Sequence, residues 1–191
     1  MAHPKAGKAK EGAPVKYIAA ILCARGFDVE RLLFPLLEER FGRIDYRGAP
    51  HPFGLTDYYQ DEMGPDLSRL LVSFEPLRSP PELVATKLAT AGIEEKLSGE
   101  GSRRVNVDPG YIDYFKVVLA SFKEGPQKMY LGSGVYADPI LLFNAGGYEL
   151  LPWTFPDFRT GVYREDFRAI RLIYKRARRG GPEERESGSE H

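Results

Sequence analysis

The chain has 191 residues and 42% of them are hydrophobic, which is enough for one domain of ordinary size with a buried core. The 27 Lys and Arg residues equal the 27 Asp and Glu residues in number, which argues against a strong general attraction to nucleic acid or to an anionic membrane. No segment is apolar over the length that a bilayer requires, and the single cysteine, Cys23, excludes an internal disulfide, so we expect a cytoplasmic protein with no membrane partner.

Composition marks both ends of the chain as tails. Residues 1–14 are basic and lack an apolar stretch, while residues 179–191 are rich in glycine, serine and charge. Segments of this composition cannot bury enough apolar surface to fold, so both ends are predicted to be disordered. A single domain is therefore expected over residues 15–178.

Hydrophobic patterning in the first half of the domain predicts four strands and two helices. Val15–Ala24 is a continuous apolar run, which is typical of a buried central strand. Pro35 falls inside the first helical pattern, so that helix either starts later or is kinked. The elements are a strand at Val15–Ala24, a helix at Val29–Phe41, strands at Arg43–Arg47 and Leu67–Glu75, a helix from Ser79-Pro80-Pro81 to about Leu97, and a strand at Arg104–Val107. This order predicts a ferredoxin-like βαββαβ core with both helices on one face of the sheet.

The second half predicts a β-rich C-terminal extension and a closing amphipathic helix, so the expected fold class is α+β. Residues 110–122 fit either a helix or a strand, and the pattern does not decide between them. Lys128–Leu131 and Val135–Phe143 read as strands around the turn Gly132-Ser133-Gly134. Tyr163–Arg178 predicts the closing helix, with apolar side chains inward and arginines outward.

Known nucleotide and metal motifs find little support in the chain. The string GSGVYA at Gly132–Ala137 matches a dinucleotide-binding pattern, but Pro139 and a β-type run follow where that pattern needs a helix, so a hairpin turn is the better interpretation. No G-x-x-x-x-G-K-[ST] phosphate-binding loop is present. Of the three histidines, only His51 lies outside the predicted tails, so no metal site is predicted, and the sequence leaves the cofactor unknown.

Two irregular segments mark the probable site: RRVNVDPGYIDYFK (Arg103–Lys116) and LPWTFPDFRTGVY (Leu151–Tyr163). Dense mixtures of proline, glycine, aromatics and charges indicate a forced backbone path, and such paths cluster at functional sites. Asp108 is either a turn cap or the candidate catalytic carboxylate, and Asp157 with Arg159 is either a structural ion pair or part of an anion site. The candidate ligand-binding residues are Arg104, Asn106, Asp108, Tyr111, Lys116, Asp157 and Arg159.

Six segments stand in a fixed order along the chain. They are GLTDYYQDEMGPDL (Gly54–Leu67), LVSFEPL (Leu71–Leu77), RRVNVDPGYI (Arg103–Ile112), KVVLASFK (Lys116–Lys123), MYLGSGVYAD (Met129–Asp138) and PWTFPDFRT (Pro152–Thr160). Together they resemble the prokaryotic domain-of-unknown-function 4416 family, and the resemblance covers nearly all of residues 15–178. Members are often labelled GTP-binding proteins, and the resemblance implies a cytosolic single domain without assigning a catalytic residue. This chain has Phe155 and Phe158 where the family tends to have tyrosine, and Asp138 where it tends to have glutamate.

These observations favour a protein that binds an anionic or phosphorylated small molecule such as a nucleotide, because both irregular segments carry charge and follow strand ends. The residues do not decide whether a reaction follows binding. The alternative is an RNA- or protein-interaction module without catalysis that uses the arginine-rich segment Arg168–Arg179. A third possibility is that both segments are structural and that the function lies in oligomerisation.

Overall fold

A nine-stranded antiparallel sheet forms the centre of the fold in the computed structural model, which describes residues 10–54, 59–99, 102–144 and 146–180. Its strand order is β2-β4-β1-β5-β6-β8-β7, with β3 also paired to β4 and β9 also paired to β8. The strands are β1 (Val15–Ala24), β2 (Ile44–Arg47), β3 (His51–Phe53), β4 (Leu67–Arg78), β5 (Val105–Ile112), β6 (Lys116–Ser121), β7 (Met129–Gly132), β8 (Val135–Asn144) and β9 (Gly147–Leu150).

Helices cover both faces of this sheet, which explains why β1 is buried on both faces along nearly its whole length. Ile21 packs in one core cluster with Leu37 and Ile93, and Ile18 packs in a second cluster with Ile170 on the opposite face. Among the described residues, no helix is long and apolar enough to cross a membrane. The helices are α1 (Val29–Leu32), α2 (Phe34–Phe41), α3 (Gln60–Met63), α4 (Leu83–Lys96, after a 3-10 turn at Pro80–Glu82), α5 (Pro156–Arg159) and α6 (Arg164–Arg179).

The predicted α+β class with a ferredoxin-like βαββαβ core is wrong, because the protein is mostly β and its sheet does not end at the fourth predicted strand. That strand continues through Asp108-Pro109-Gly110 to Ile112 and then pairs with β6, from which the sheet extends to β8 and β7. Pro109 is tolerated inside β5 because pairing with β6 begins at Gly110, so its missing N–H interrupts no ladder bond to that strand.

The individual helices and strands were predicted more accurately than the fold class. The first predicted helix is broken at Leu33 into α1 and α2, and Pro35 lies in the first turn of α2, where a missing N–H costs nothing. Residues 116–121 form a strand, and Gly132-Ser133-Gly134 connects β7 to β8 as the hairpin interpretation predicts. The strand β9 has no counterpart in the sequence prediction. Residues 1–9 and 181–191 lie outside the described residues, so the predicted domain limits stay a prediction.

The strands β5 and β6 diverge, and this divergence positions the candidate site. Along its whole length β5 pairs with β1, whereas among the described residues β6 meets it only at Gly110–Ile112. A Cβ on Gly110 would lie 2.1 Å from the carbonyl oxygen of Val118, so only glycine permits this close approach. Beyond that contact, a gap opens between the two strands.

Side chains of α4 take the place of the absent strand along this gap. The Val107 N–H donates to Glu94 Oε1 at 2.8 Å, and the Val107 carbonyl accepts from Lys87 Nζ at 3.1 Å and from Thr90 Oγ1 at 3.4 Å. Because these residues lie at positions i, i+3 and i+7 of α4, they line one side of the helix. The backbone of β5 is therefore satisfied here without a neighbouring strand.

Candidate functional site

Two adjoining cavities occupy the gap between β5 and β6, and together they are called the β5–β6 cleft. Their volumes are about 180 Å³ and 330 Å³. The combined volume of the two cavities falls in the range of small-molecule sites. Both cavities are lined by Tyr59, Asp108, Leu119, Lys123 and Phe155.

The smaller cavity, called the polar cavity, is rich in charge. It lies between α4, β5, β6 and the start of β8. Its charged lining consists of the cations Lys87, Arg103, Lys123 and Lys128 and the carboxylates Glu94, Asp108 and Asp138.

The larger cavity, called the apolar cavity, has several aromatic walls. Phe53 and Phe158 are buried and form fixed walls, whereas Phe155 is 40% exposed and lies at the outside. The remaining lining includes Pro156 and the charged pair Arg69 and Asp157.

Asp108 lies where the two cavities meet, and donors reach both of its oxygens. Lys87 Nζ is 3.0 Å from Oδ1, and Asn106 Nδ2 is 2.9 Å from Oδ2. Burial would raise the pKa of Asp108, but the charges of Lys87 and Arg69 and these two hydrogen bonds together lower it. Asp108 is therefore a carboxylate at neutral pH, and its side chain is 24% exposed toward the cleft.

Arg69 and Asp157 form a buried ion pair on the apolar side of the cleft, with each side chain only 7% exposed. The Arg69 guanidinium also lies over two rings, 4.4 Å from the centroid of Phe53 and 5.3 Å from that of Phe158. Nε of Arg69 is buried and has no hydrogen-bond partner among the described residues. The arrangement fixes both aromatic walls.

Glu94 and Arg103 form the outer part of the polar cavity. Burial raises the pKa of Glu94 despite the nearby charge of Lys87 and the N–H of Val107. Arg103 donates to Asn106 Oδ1 at 3.0 Å and lies 3.7 Å from Glu94 Oε2. It also pairs with Glu62. These contacts connect Arg103 to Asp108 through Asn106.

Lys128 and Asp138 close the opposite end of the polar cavity. Lys128 Nζ is 3.4 Å from Asp138 Oδ2 and donates to Ser121 Oγ at 3.1 Å. Gln127 donates to the other oxygen of Asp138 at 3.3 Å. Both charged side chains are buried, so this pair is held in place.

The structure brings three of the seven predicted ligand-binding residues into the cleft: Asn106, Asp108 and Asp157. The other four lie elsewhere and have other partners. Arg104 lies over the Phe27 ring, Tyr111 packs near Tyr17, Lys116 pairs with Asp113, and Arg159 donates to the carbonyls of Leu151, Pro152 and Thr154.

Sequence reasoning missed the buried cations of the cleft. Arg69 lies inside the apolar run of β4, and Lys87 lies four residues after the buried Leu83 in α4. A charged residue at a position whose pattern is apolar is the signal that could have found both, because such a residue needs a buried partner. Asp157 pairs with Arg69 and not with Arg159, so the expected local ion pair is replaced by a long-range one.

Several charged side chains of the cleft are held in ion pairs. The cations Arg69, Lys87, Arg103 and Lys128 line the two cavities, and each lies within salt-bridge distance of a carboxylate. A group of cations in a walled cleft suits an anionic ligand, and the aromatic walls add apolar contact. Among the described residues, no group of three or more His, Cys, Asp or Glu side chains is arranged to hold a metal ion.

Comparison with known proteins gives one match. A family model with the description Domain of unknown function (DUF4416) matches residues 13–174, a range that contains every segment of the resemblance. Comparisons with curated proteins and with solved structures find no match.

Proposed function

We propose that the protein, which belongs to the domain-of-unknown-function 4416 family, binds an anionic small molecule in the β5–β6 cleft. The charges that line the cleft are the basis of this proposal. The resemblance identified from sequence is confirmed by the family match, and that match names no ligand. The chemistry of the ligand is therefore argued from the cleft alone. A nucleotide is one member of the proposed class.

The observation that carries this proposal is the set of buried cations that line the cleft. Lys87 is almost fully buried, and Arg69 and Lys128 are nearly so, which is costly unless each charge has partners. Each of these three cations pairs with one carboxylate. A lysine ammonium has three donor positions, and Lys128 uses two of them on Asp138 and Ser121. The third is left for an oxygen of a ligand phosphate or carboxylate.

Asp108 is better suited to hold a ligand than to abstract a proton. A general base works best when its pKa lies near the working pH, and the pKa of Asp108 is lowered below that of an ordinary aspartate. A carboxylate has about four acceptor positions, and the hydrogen bonds from Lys87 and Asn106 use two of them. The others are available to a ligand hydroxyl or N–H. We therefore assign Asp108 a binding role.

Thermal unfolding in the presence of candidate ligands tests the proposal. The purified protein is screened against inorganic phosphate, carboxylate metabolites, sugar phosphates and nucleotides at low salt. A ligand at about a hundred times its dissociation constant stabilises by about 2.7 kcal/mol, which is several degrees for a domain of this size. Lys128→Met should remove the shift, whereas Lys96→Met, an exposed lysine on α4 outside the cleft, should preserve it. No shift with any anion, or a shift that Lys128→Met leaves unchanged, would contradict the proposal.

A second candidate function is carried by the outer face of α6. A groove of about 610 Å³ runs beside this helix and is lined by Arg164, Arg168, Arg171 and Lys175, with Glu165 as its one acidic lining residue among those described. This surface suits an interaction module for RNA or for an acidic protein partner. Association that weakens steeply with salt and is lost in a variant with Arg168 and Lys175 changed to Gln would favour it over the cleft.

A further inference from the structure

The groove beside α6, called the α6 groove, differs from the cleft because most of its cations have no acidic partner. It is lined by Arg164, Arg168, Arg171 and Lys175. Of these four, only Arg168 lies within salt-bridge distance of a described carboxylate, that of Glu165 at 3.8 Å, and this pair is exposed to solvent. We infer, resting on the second candidate function, that the α6 groove binds a single-stranded nucleic acid.

The four cations form one row along the helix. They occupy positions i, i+4, i+7 and i+11, which places them on one side of α6. With a rise of about 1.5 Å per residue, the row is about 16 Å long. A continuous row of positive charge matches the regular row of phosphates in a nucleic acid, and phosphate contacts supply most of the affinity in binding that is not specific for sequence.

Arg171 adds a flat surface to this row. Its guanidinium lies 3.3 Å from the centroid of the Phe143 ring, and its Nη2 donates to the carbonyl of Tyr114 at 3.0 Å. These two contacts hold the plane of the guanidinium in the lining of the groove. Nucleobases stack on arginine planes as well as on aromatic rings. One base therefore stacks on Arg171 while neighbouring phosphates contact Arg168 and Lys175.

The walls of the groove favour a single strand over a duplex. One wall is α6, and the other includes Phe143 of β8 together with Gly146 and Gly147. A Cβ on either glycine would meet nothing within 4 Å, so this wall leaves room beside the row of cations. A helix that reads a duplex enters its major groove and must protrude from its surroundings to do so. Here the cations face a second wall, between which and α6 a flexible single strand can lie lengthwise.

An acidic polypeptide fits the α6 groove less well than a nucleic acid does. Tight protein interfaces depend on a few aromatic or apolar anchors that become fully buried. Among the described residues that line the groove, Leu172 is the one large apolar side chain that is well exposed, because Arg171 covers the ring of Phe143. A nucleic acid needs no such anchor, since its phosphates supply most of the affinity.

Fluorescence anisotropy of labelled oligonucleotides with the whole protein tests this inference. The probes are single-stranded RNA and DNA of about ten nucleotides and the matching duplex, with poly-glutamate as an unlabelled competitor. The single strands should bind at least about fivefold more tightly than the duplex, and poly-glutamate should compete more weakly than an unlabelled single strand. Three phosphate contacts predict that the logarithm of the association constant falls with the logarithm of the salt concentration with a slope of about −2.

A charge variant assigns the phosphates to the α6 groove. Changing Arg168 and Lys175 together to Gln should weaken single-strand binding at least about tenfold and bring the salt slope to about −0.7, because two of the three phosphate contacts are lost. The matched control changes Arg40 and Lys96 to Gln, which removes the same charge from exposed positions on α2 and α4 at the opposite face of the sheet. The control should keep both the affinity and the salt slope.

A second variant tests the stacked base. Arg171→Lys keeps the charge and removes the plane, so it should weaken the single strand at least about fivefold and leave an abasic oligonucleotide of the same length unchanged. Equal losses for the two probes would overturn the stacking assignment. Melting temperatures of each variant without ligand show that the fold is retained.

The outcomes separate this inference from binding in the cleft. If the duplex or poly-glutamate binds as tightly as the single strand, the assignment of the ligand is overturned. If Lys128→Met removes oligonucleotide binding and the Arg168 and Lys175 variant does not, the strand lies in the cleft and the inference fails. If no oligonucleotide binds, the inference fails, and a thermal shift with small anions that depends on Lys128 would still support the proposed role of the cleft.

Discussion

Lys87 Nζ and Asp108 Oδ1 lie 3.0 Å apart, and this contact joins the helix α4 to a strand of the central sheet. The same ammonium also donates to the backbone carbonyl of Val107. One buried side chain thus satisfies the unpaired backbone of β5 and fixes the charge of the carboxylate in the cleft. The hydrogen bonding of β5 and the charge of the candidate site therefore both depend on Lys87 Nζ.

Replacing Lys87 by methionine should therefore destabilise the protein by about 2–3 kcal/mol, since it leaves the partly buried carboxylate of Asp108 without its cation and the Val107 carbonyl with only the longer hydrogen bond from Thr90. The free energy of unfolding is measured by urea titration. A double-mutant cycle with Asp108→Asn should give a coupling energy of at least about 1 kcal/mol. Additive effects of the two changes would show that the contact contributes little.

The buried pair of Arg69 and Asp157 gives a second prediction. Arg69→Met should cost about 3–5 kcal/mol because Asp157 then remains buried without its cation, and adding Asp157→Leu should recover at least about 1 kcal/mol of that loss. Arg25→Met breaks an exposed pair with Asp66 and should change the free energy of unfolding by less than about 0.5 kcal/mol. A double variant no more stable than Arg69→Met would contradict this account.

Gly110 is predicted to be the glycine that the sheet tolerates least. Gly110→Ala should destabilise by about 3 kcal/mol, because the new Cβ would lie 2.1 Å from a backbone oxygen that cannot move without breaking the β5–β6 pairing. Gly92→Ala is the control: its Cβ would meet nothing within 4 Å inside α4, and alanine should stabilise the helix by about 0.5–1 kcal/mol. Equal effects of the two changes in urea titrations would refute the close-approach argument.

The lowered pKa of Asp108 predicts a particular dependence of stability on pH. A carboxyl whose folded pKa lies below its unfolded value of about 3.9 stabilises the protein above that value, and the contribution is lost as the pH falls through the folded pKa. The difference in free energy of unfolding between the wild type and Asp108→Asn should therefore grow from pH 3 to pH 6. A difference that is constant over this range would show that the carboxylate gains nothing from its partners.

The contribution of Glu94 to the free energy of unfolding should depend on pH in the opposite direction. Burial raises its pKa, so its contribution to stability is fully present below the unfolded value of about 4.3 and is lost as the pH rises through the folded value. Glu94→Gln should consequently lose less stability than the wild type between pH 4 and pH 8. The same urea titrations check it, and a wild type that loses no stability relative to Glu94→Gln in that window would contradict the raised pKa.

The sequence pattern predicted those strands and helices whose own residues carry the signal for that structure. The apolar runs of β1 and β4 and the amphipathic stripe of α6 each contain their own signal. The length of β5 could not be predicted, because Asp108-Pro109-Gly110 has the composition of a turn and becomes a strand only through its neighbours β1 and α4. That one error ended the predicted sheet early and produced the wrong fold class.

The candidate site was predictable in part for the same reason. Asn106, Asp108 and Asp157 lie in irregular segments that are conspicuous in sequence. Their partners are distant: Lys87 is 21 residues from Asp108, and Arg69 is 88 residues from Asp157. No local pattern states which buried cation meets which carboxylate, because that pairing is decided by the packing of α4 and α5 against the sheet.

At Val107, side chains of α4 make the hydrogen bonds that a neighbouring strand would otherwise make. This arrangement also affects how the protein avoids association with other chains. A gap inside a sheet would ordinarily present unsatisfied N–H and C=O groups, which recruit strands from other chains. Glu94, Thr90 and Lys87 occupy those groups from the side, so no foreign strand can pair at that position without displacing a helix. The cleft can therefore stay open while the sheet backbone at Val107 remains closed to another polypeptide.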